Sequence, residues 1–195
     1  FLSGPSMIEP KPYSEVAVRT TVSNLNRFAR RQALVKLPSG EGSNALEIPY
    51  EIEWGRVSEG RGQPLDHAGE LLFVEDPVYV QVVNKGTDTI YCSIFDVGVS
   101  AKITLLTKSG ASGVVLLPGK DYVFGRDDIR GLTGIKLGWA PGVPKDEPRE
   151  ESLVAIVSDK PQDLRALEQS AMRDAKDRGA TTPLEDMMEQ IGSGR

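Results

Sequence analysis

The side chains best suited to catalysis in this 195-residue chain are its single cysteine and its single histidine. A cysteine hydrolase needs a thiolate, which a nearby imidazole generates, and a backbone pocket that holds the oxyanion. Cys92 lies inside TIYCSIF, a predicted strand, and His67 lies in a predicted loop with no apolar pocket signalled around it. A free cysteine in a strand is usually a small buried hydrophobe. We therefore expect no catalytic pair, and a small cysteine hydrolase that uses Cys92 is the first alternative.

Motifs for metal and phosphate binding are incomplete. One cysteine and one histidine are too few for a structural zinc site, which usually takes four such ligands. In the LLPGKDY region, Val114 and Asp121 occupy the positions where a phosphate-binding loop has glycine and Ser or Thr. The Asp127–Asp128 pair lacks the alternating oxygen ligands of a calcium loop. The sequence therefore predicts no catalytic residue, no cofactor site and no metal site.

Composition excludes several classes of function. The formal net charge of −5 does not fit a nucleic-acid-binding protein, and no apolar run is long enough for a membrane span. A single cysteine and the lack of any N-x-[ST] acceptor give no support for an oxidising compartment. We expect a cytoplasmic protein that binds neither nucleic acid nor membrane.

The N-terminal region predicts one amphipathic helix. Between Ser14 and about Leu37, apolar residues recur at spacings of three and four, and Ser14 is the expected N-cap. The predicted buried stripe consists of Val18, Val22, Leu25, Phe28, Ala29 and Ala33. The other face carries Arg19, Arg27, Arg30 and Arg31. We expect these arginines to be solvated or paired with acidic residues; contact with nucleic acid or anionic lipid is the alternative.

The middle of the chain predicts a β domain. From Val78 to Phe124, runs rich in β-branched and aromatic residues alternate with turn-forming residues, and SLVAIVS suits a central strand. ALEIPYEIEW predicts a strand that Pro49 confines to a sheet edge, and GRVSEGRGQPLDHAGE predicts an irregular surface loop. NKGTD is typical of a β-hairpin turn. The residues predicted to fill the core are Tyr79, Ile90, Phe95, Leu105 and Leu116.

The tail predicts two helices. The first spans Gln162 to about Lys176 and would be capped by Ser158 or Asp159. The second begins in TPLE, where Thr182 and Glu185 form a capping box. Its apolar face consists of Leu184, Met187, Met188 and Ile191. We expect this segment to pack on the domain itself or to be a disordered end; a helix-in-groove contact with a partner is the alternative. Because the tail is acidic and the first helix is basic, we expect the two ends on one side of the sheet.

Three segments together resemble the β domain that follows the peptidase domain in caspase-like proteins of fungi and bacteria. The segments are VYVQVVNKGTDTIYCSIFDVGVSAKITLLT, LLPGKDYVFG and LVAIVSDKPQDLRALE, and LNRFARRQALVKL resembles the helix before that domain. The matching positions are Asn84, Tyr91, Phe95, Asp96, Ile103, Leu105, Leu106, Pro118, Gly119, Ser158, Pro161 and Leu164. The resemblance implies a non-catalytic module, because the catalytic His and Cys of such proteins lie in the upstream peptidase domain. No functional residue is carried over.

The sequence thus predicts a mainly β protein, an immunoglobulin-like β-sandwich of about eight strands with an N-terminal helix and a C-terminal helical tail. Residues 1–12 are expected to be disordered or vector-derived, 13–37 to form the helix, 45–158 the sandwich and 159–195 the tail. The expected function is an accessory interaction or regulatory domain of a caspase-like cysteine peptidase, itself not an enzyme.

Its expected partner is that peptidase domain, in the same or a cleaved polypeptide, with another protein possible at the terminal helices. A further alternative is a carbohydrate- or ligand-binding sandwich with Trp54, Tyr122 and Trp139 as stacking faces. For these rings we expect packing in the core instead.

Overall fold

The structure is a computed structural model that describes residues 14–37, 46–66, 70–108, 110, 112–136, 138–140 and 143–172. These residues are mainly β, with one α-helix at the N-terminal end, which confirms the predicted class. The elements are α1 (Glu15–Val35), β1 (Tyr50–Ser58), β2 (Arg61–Pro64), β3 (Pro77–Asn84), β4 (Ile90–Val97), β5 (Ile103–Leu105), β6 (Val114–Leu116), β7 (Asp121–Phe124), β8 (Arg126–Asp127), β9 (Gly131–Leu132), β10 (Ile135–Lys136), β11 (Ser152–Ser158) and a 3₁₀ helix (Arg165–Leu167).

The strands form several antiparallel sheets. Sheet A has the order β10-β3-β1-β2, and β7 pairs with β3 beside β10. Sheet B has the order β11-β4-β5, and β6 pairs with β4 beside β5. Strands β8 and β9 form a separate two-stranded sheet. The two long strands β3 and β4 therefore organise one sheet each.

The core consists of three clusters, because alternate residues of β3 and β4 point to opposite faces. The central cluster joins the two sheets and contains Val80, Val82, Ile90, Cys92, Ile94 and Leu116. The helix-side cluster contains Leu34, Phe95, Val97, Ile103 and Leu105. The sheet A cluster contains Val57, Tyr79 and Val123. All five residues predicted to fill the core are buried, although they are divided among these three clusters.

Helix α1 begins as predicted, since the Ser14 side chain accepts a hydrogen bond from the Ala17 N–H at 3.1 Å. The prediction of its buried face is wrong. Val18, Val22 and Leu25 are exposed, whereas the buried residues of α1 are Asn24, Arg31 and Leu34. Arg31 is buried on the face toward sheet B: its Nε donates to the Gly98 carbonyl in the turn after β4, and its guanidinium lies 3.9 Å from Glu150, which is the acidic pairing expected for these arginines. The helix thus contacts sheet B through a mixed face, in which Leu34 packs with Phe95 and Val97 while Arg31 binds the turn after β4.

The predicted hairpin at NKGTD is also wrong, because β3 and β4 belong to different sheets. The buried Asn84 side chain holds this crossing: its Nδ2 donates to the Asp88 and Leu116 carbonyls, and its Oδ1 accepts from the Gly86 N–H. In a two-residue hairpin, backbone hydrogen bonds alone pair the neighbouring strands. Here the Asn84 side chain forms hydrogen bonds with the backbone groups where the chain passes from one sheet to the other.

A hairpin forms instead where an irregular loop was predicted. Strand β1 continues to Ser58 and pairs with β2 through a turn in which Glu59 and Gly60 have φ of 51° and 74°. The glycines of this region have a packing role, since a Cβ on Gly62 would lie 2.8 Å from the Tyr79 ring. Strand β1 starts after Pro49, and its first half pairs with β3 through the register Tyr50↔Asn84 to Trp54↔Val80.

Residues 162–172 do not form the predicted helix. Apart from the 3₁₀ helix, this stretch has no regular secondary structure, and Gln169 forms an isolated β-bridge with Ile103. Ser158 donates its hydroxyl to the Lys160 carbonyl instead of capping a helix. Tertiary hydrogen bonds explain the difference, because Glu168 Oε1 accepts the Leu105 N–H and Gln169 Nε2 donates to the Ala101 carbonyl. The second predicted helix, 182–191, and residues 1–12 lie outside the described residues.

Candidate functional site

Cys92 occupies the middle of β4 and is fully buried in the central cluster, as predicted for a small apolar residue. Burial raises the pKa of its thiol to about 12. A nucleophilic cysteine needs the opposite environment, in which a nearby positive charge or helix N-terminus lowers the pKa. His67 lies outside the described residues. The surroundings of Cys92 are those of a packing residue.

We expect the Cys92 thiol to react slowly with a disulfide reagent in the native protein at pH 8. Its thiolate fraction is small and the sulfur is inaccessible, so labelling requires opening of β4. The measurement is the rate of thiol labelling with and without denaturant, and we expect at least a roughly hundred-fold increase on unfolding. Native labelling as fast as that of the unfolded chain would contradict the buried position of Cys92.

The aromatic rings considered for stacking do not form an exposed row. Trp54 and Tyr122 pack against the central cluster, which confirms core packing for these two rings. The Trp54 indole N–H donates to the Asp66 carbonyl, and the Trp139 indole N–H donates to the Val143 carbonyl at 2.8 Å. These contacts fix the rings within the protein and leave no flat stacking platform among them.

The described residues contain no group of three or more His, Cys, Asp or Glu side chains that could hold a metal ion. Asp127 forms a solvated turn, in which its Oδ1 accepts the N–H groups of Ile129 and Arg130. These bonds lower the pKa of the Asp127 carboxyl. No helix within the described ranges is sufficiently long and apolar to cross a bilayer.

Sequence reasoning missed a pair of carboxyl groups, Asp96 in β4 and Glu151 immediately before β11. The antiparallel register Ser152↔Val97 brings Glu151 beside the end of β4, and the two side chains are hydrogen-bonded to each other. Gly98 lies against them, since a Cβ there would be 3.0 Å from Glu151 Oε1. No local motif signals this pair, because the residues are distant in sequence and only the strand register joins them.

The pair holds a proton under conditions in which isolated carboxyl groups are ionised. Desolvation is the largest cause that raises the pKa of Glu151, to about 7, and the negative charge of Asp96 and the hydrogen bond between the two side chains add to it. The Val99 N–H and the Arg31 guanidinium act in the opposite direction. Desolvation also raises the pKa of Asp96, while Glu151 and Lys102 lower it.

This arrangement joins α1, the turn after β4 and the start of β11, but it does not resemble a catalytic cleft. A small cavity lies elsewhere and is lined by Leu105, Lys108, Gly110, Arg165 and Glu168. Its volume of about 160 Å³ is below the usual range for small-molecule sites. The carboxyl pair thus lies where α1, the turn after β4 and the start of β11 meet, and its protonation should affect how these three elements hold together.

The unfolding free energy should fall as pH rises from about 4.5 to about 7. The native pair retains a proton that an unfolded Glu151, with its ordinary pKa of 4.5, releases, so the native state binds more protons in this interval. Glu151→Gln should flatten this fall, because a neutral amide can donate to Asp96 at every pH. The measurement is chemical denaturation between pH 4.5 and 8. Glu47→Gln, at an exposed position, is the control and should retain the wild-type slope.

The most exposed apolar segment near the strands is Leu71–Val74, which we call the LLFV segment. Leu71, Phe73 and Val74 are 62%, 69% and 48% exposed. The segment is nevertheless anchored: Asp76 Oδ2 accepts the Phe73 N–H, and the Phe73 carbonyl accepts the Asp76 N–H at 3.0 Å. Arg56 of β1 donates to the Leu71 carbonyl and pairs with Asp76. The backbone bonds thus hold apolar side chains outward.

Comparisons of the chain with protein-family models, with curated proteins and with solved structures find no match.

Proposed function

We propose that this chain is a non-catalytic accessory domain of a caspase-like cysteine peptidase and that it binds protein through the LLFV segment. The resemblance of its strand and turn sequences to the β domain of such proteins supports the choice of partner, a caspase-like peptidase domain in the same or a cleaved polypeptide. The observation that carries the binding role is the anchored display of Leu71 and Phe73.

Large apolar side chains that are exposed yet ordered suit a protein interface. Binding then buries the rings and aliphatic groups without the entropic cost of ordering their backbone. Phe73 supplies an aromatic side chain of the kind that often dominates binding energy at interface centres. The LLFV segment contributes little to the three core clusters, so its apolar character is not explained by folding.

The finer architecture that we propose is an immunoglobulin-like sandwich of about eight principal strands in a cytoplasmic protein. The central cluster supports it, because Val80 and Val82 of sheet A pack with Ile90, Cys92 and Ile94 of sheet B. Alternation along both strands places other side chains on the outer faces, as two packed sheets require. The short strands β8, β9 and β10 would then be additions to that frame.

The test measures binding of this chain to the caspase-like peptidase domain encoded in the same gene or genome, by isothermal titration calorimetry. Leu71→Ser with Phe73→Ser should weaken binding about ten-fold or more, since each removes a central apolar contact. Val115→Ser with Leu117→Ser is the matched control, because these residues are 53% and 54% exposed on and after β6. That control should retain wild-type affinity.

Three outcomes would overturn the proposal. The first is equal affinity of the LLFV variant and the wild type, and the second is no binding of the wild type to the peptidase domain. The third is peptidase activity of this chain alone that Cys92→Ala abolishes, which would make the buried thiol a nucleophile and the protein an enzyme.

A further inference from the structure

Helix α1 presents an apolar stripe to solvent. Val18, Val22 and Leu25 are 43%, 51% and 61% exposed, and Ala29 and Ala33 continue the same line along the helix. At 3.6 residues per turn these five positions lie on one face, which we call the helix stripe. Arg19 and Arg30, both exposed, lie along one flank of it. Such a face normally packs on another element.

The chain itself returns to α1 at the end of the described residues. Gln169 Nε2 donates to the Arg27 carbonyl of α1 at 2.9 Å and to the Ala101 carbonyl. The Met172 N–H then donates to the Ser100 carbonyl at 2.8 Å. The described part of the chain therefore ends at Met172, three residues after a contact with the helix that carries the stripe.

The sequence after Met172 has the reach and the pattern needed to cover the stripe. Residues 173–181 can extend over about 30 Å, which is about the length of α1. Residues 182–191 begin with a capping box and place four apolar side chains on one helical face. That face consists of Leu184, Met187, Met188 and Ile191.

The charges of the two segments are complementary. Glu185, Asp186 and Glu189 give residues 182–191 only negative charge, whereas α1 has one acidic residue and four arginines. Viewed along each helix from its N-terminus, Glu185 and Glu189 lie on one side of the apolar face of residues 182–191. Arg19 and Arg30 lie on the same side of the helix stripe. In two antiparallel helices packed face to face, these charged rows lie next to each other.

We propose that residues 182–191 form an amphipathic helix that packs antiparallel on the helix stripe of the same molecule. The occupant is thus the chain's own C-terminal segment, with its acidic row beside Arg19 and Arg30. Tethering favours this contact, because a short linker gives an effective concentration in the millimolar range, so that an intrinsic affinity of about 0.1 mM keeps about nine-tenths of molecules docked. The helix stripe is then shielded in the free protein, whereas the LLFV segment stays open.

The four methionines allow a direct test on the full chain. A nitroxide is attached at Thr21→Cys, on the flank of the helix stripe away from the arginines, while the buried Cys92 stays unlabelled. The spectra record the carbon-13-labelled methyl groups of methionine. We expect the signals of Met187 and Met188 to lose intensity about five-fold or more, as docking of most molecules requires. A nitroxide at Ile129→Cys, 94% exposed between β8 and β9, should leave both signals unchanged.

Val22→Asp with Leu25→Asp should restore both signals in the chain labelled at position 21. These positions are exposed, so the amide spectrum of the domain should stay that of the wild type. Signals unaffected by the label at position 21 would overturn the proposal. So would loss of the Met7 signal alone, which would identify residues 1–13 as the occupant. Intensity loss only in mixtures of spin-labelled and isotope-labelled chains would identify a second copy and would overturn it as well.

Discussion

Phe95→Ala should lower the free energy of unfolding by about 3–5 kcal/mol, since it removes a fully buried ring and leaves a cavity. Phe95 is the largest fully buried side chain and lies in the helix-side cluster, where it packs with Leu34 of α1 and Leu105 of β5. The ring therefore links the helix to sheet B. Urea denaturation followed by circular dichroism measures the change as a shift of the midpoint at constant slope.

Phe73→Ala is the matched control, because it deletes the same atoms from a ring that is 69% exposed. We expect its unfolding free energy to stay within about 0.5 kcal/mol of the wild type. If the chain binds the peptidase domain as proposed, the same substitution should weaken that binding, and the two phenylalanines would then separate folding from binding. Equal destabilisation by both substitutions would contradict the assignment of Phe95 to the core and Phe73 to the surface.

Alternation along the strands made much of the core predictable. The runs around β3, β4 and β11 have the β-branched and aromatic composition of strands, and the five strand residues predicted to fill the core are buried. Strand β11, however, lies at the edge of sheet B and is only partly buried, although its sequence predicted a central strand. Periodicity of two assigns residues to the faces of a strand, but it does not say which strand lies beside it. The sequence therefore located β3 and β4 and wrongly paired them as a hairpin.

The periodicity of α1 correctly predicts a helix with an apolar stripe, but the residues of that stripe are exposed to solvent. An isolated helical pattern shows that one face is apolar and does not show what covers it. The contact with sheet B uses Leu34, which packs with Phe95, and Arg31, which binds Gly98, and both interactions join residues far apart in sequence. Similarly, residues 162–172 have a helical pattern but do not form an α-helix. The side chains of Glu168 and Gln169 instead form hydrogen bonds with backbone groups in and next to β5.

The carboxyl pair could not be predicted for a related reason. Asp96 and Glu151 are each unremarkable in their local sequence, and only the pairing of β4 with β11 brings them together. Desolvation at that junction then creates the raised pKa of Glu151. By contrast, the buried position of Cys92 was predictable, because a free cysteine in the middle of an apolar strand is usually buried as a small hydrophobic residue.

Asn84→Ala should lower the free energy of unfolding by about 3 kcal/mol, because three hydrogen bonds of a fully buried side chain are lost. The loss leaves the Leu116 carbonyl without the amide donor that satisfies it where the chain crosses between sheets. Asn26→Ala, at an exposed position of α1, is the control and should change stability by less than about 0.5 kcal/mol. Denaturant titration measures both.

Asn84→Asp distinguishes a hydrogen-bonding role from simple packing, because the new side chain has nearly the same shape. An ionised Asp accepts hydrogen bonds and cannot donate to the Asp88 and Leu116 carbonyls, whereas a protonated Asp can donate to one of them. Burial would raise the pKa of this carboxyl in the native state, so the variant should approach wild-type stability as pH falls and diverge from it as pH rises. Asn84→Ala should keep a constant deficit over the same interval. If the two variants instead show the same pH dependence relative to the wild type, the amide donors do not hold the crossing, and shape alone determines the path from β3 to β4.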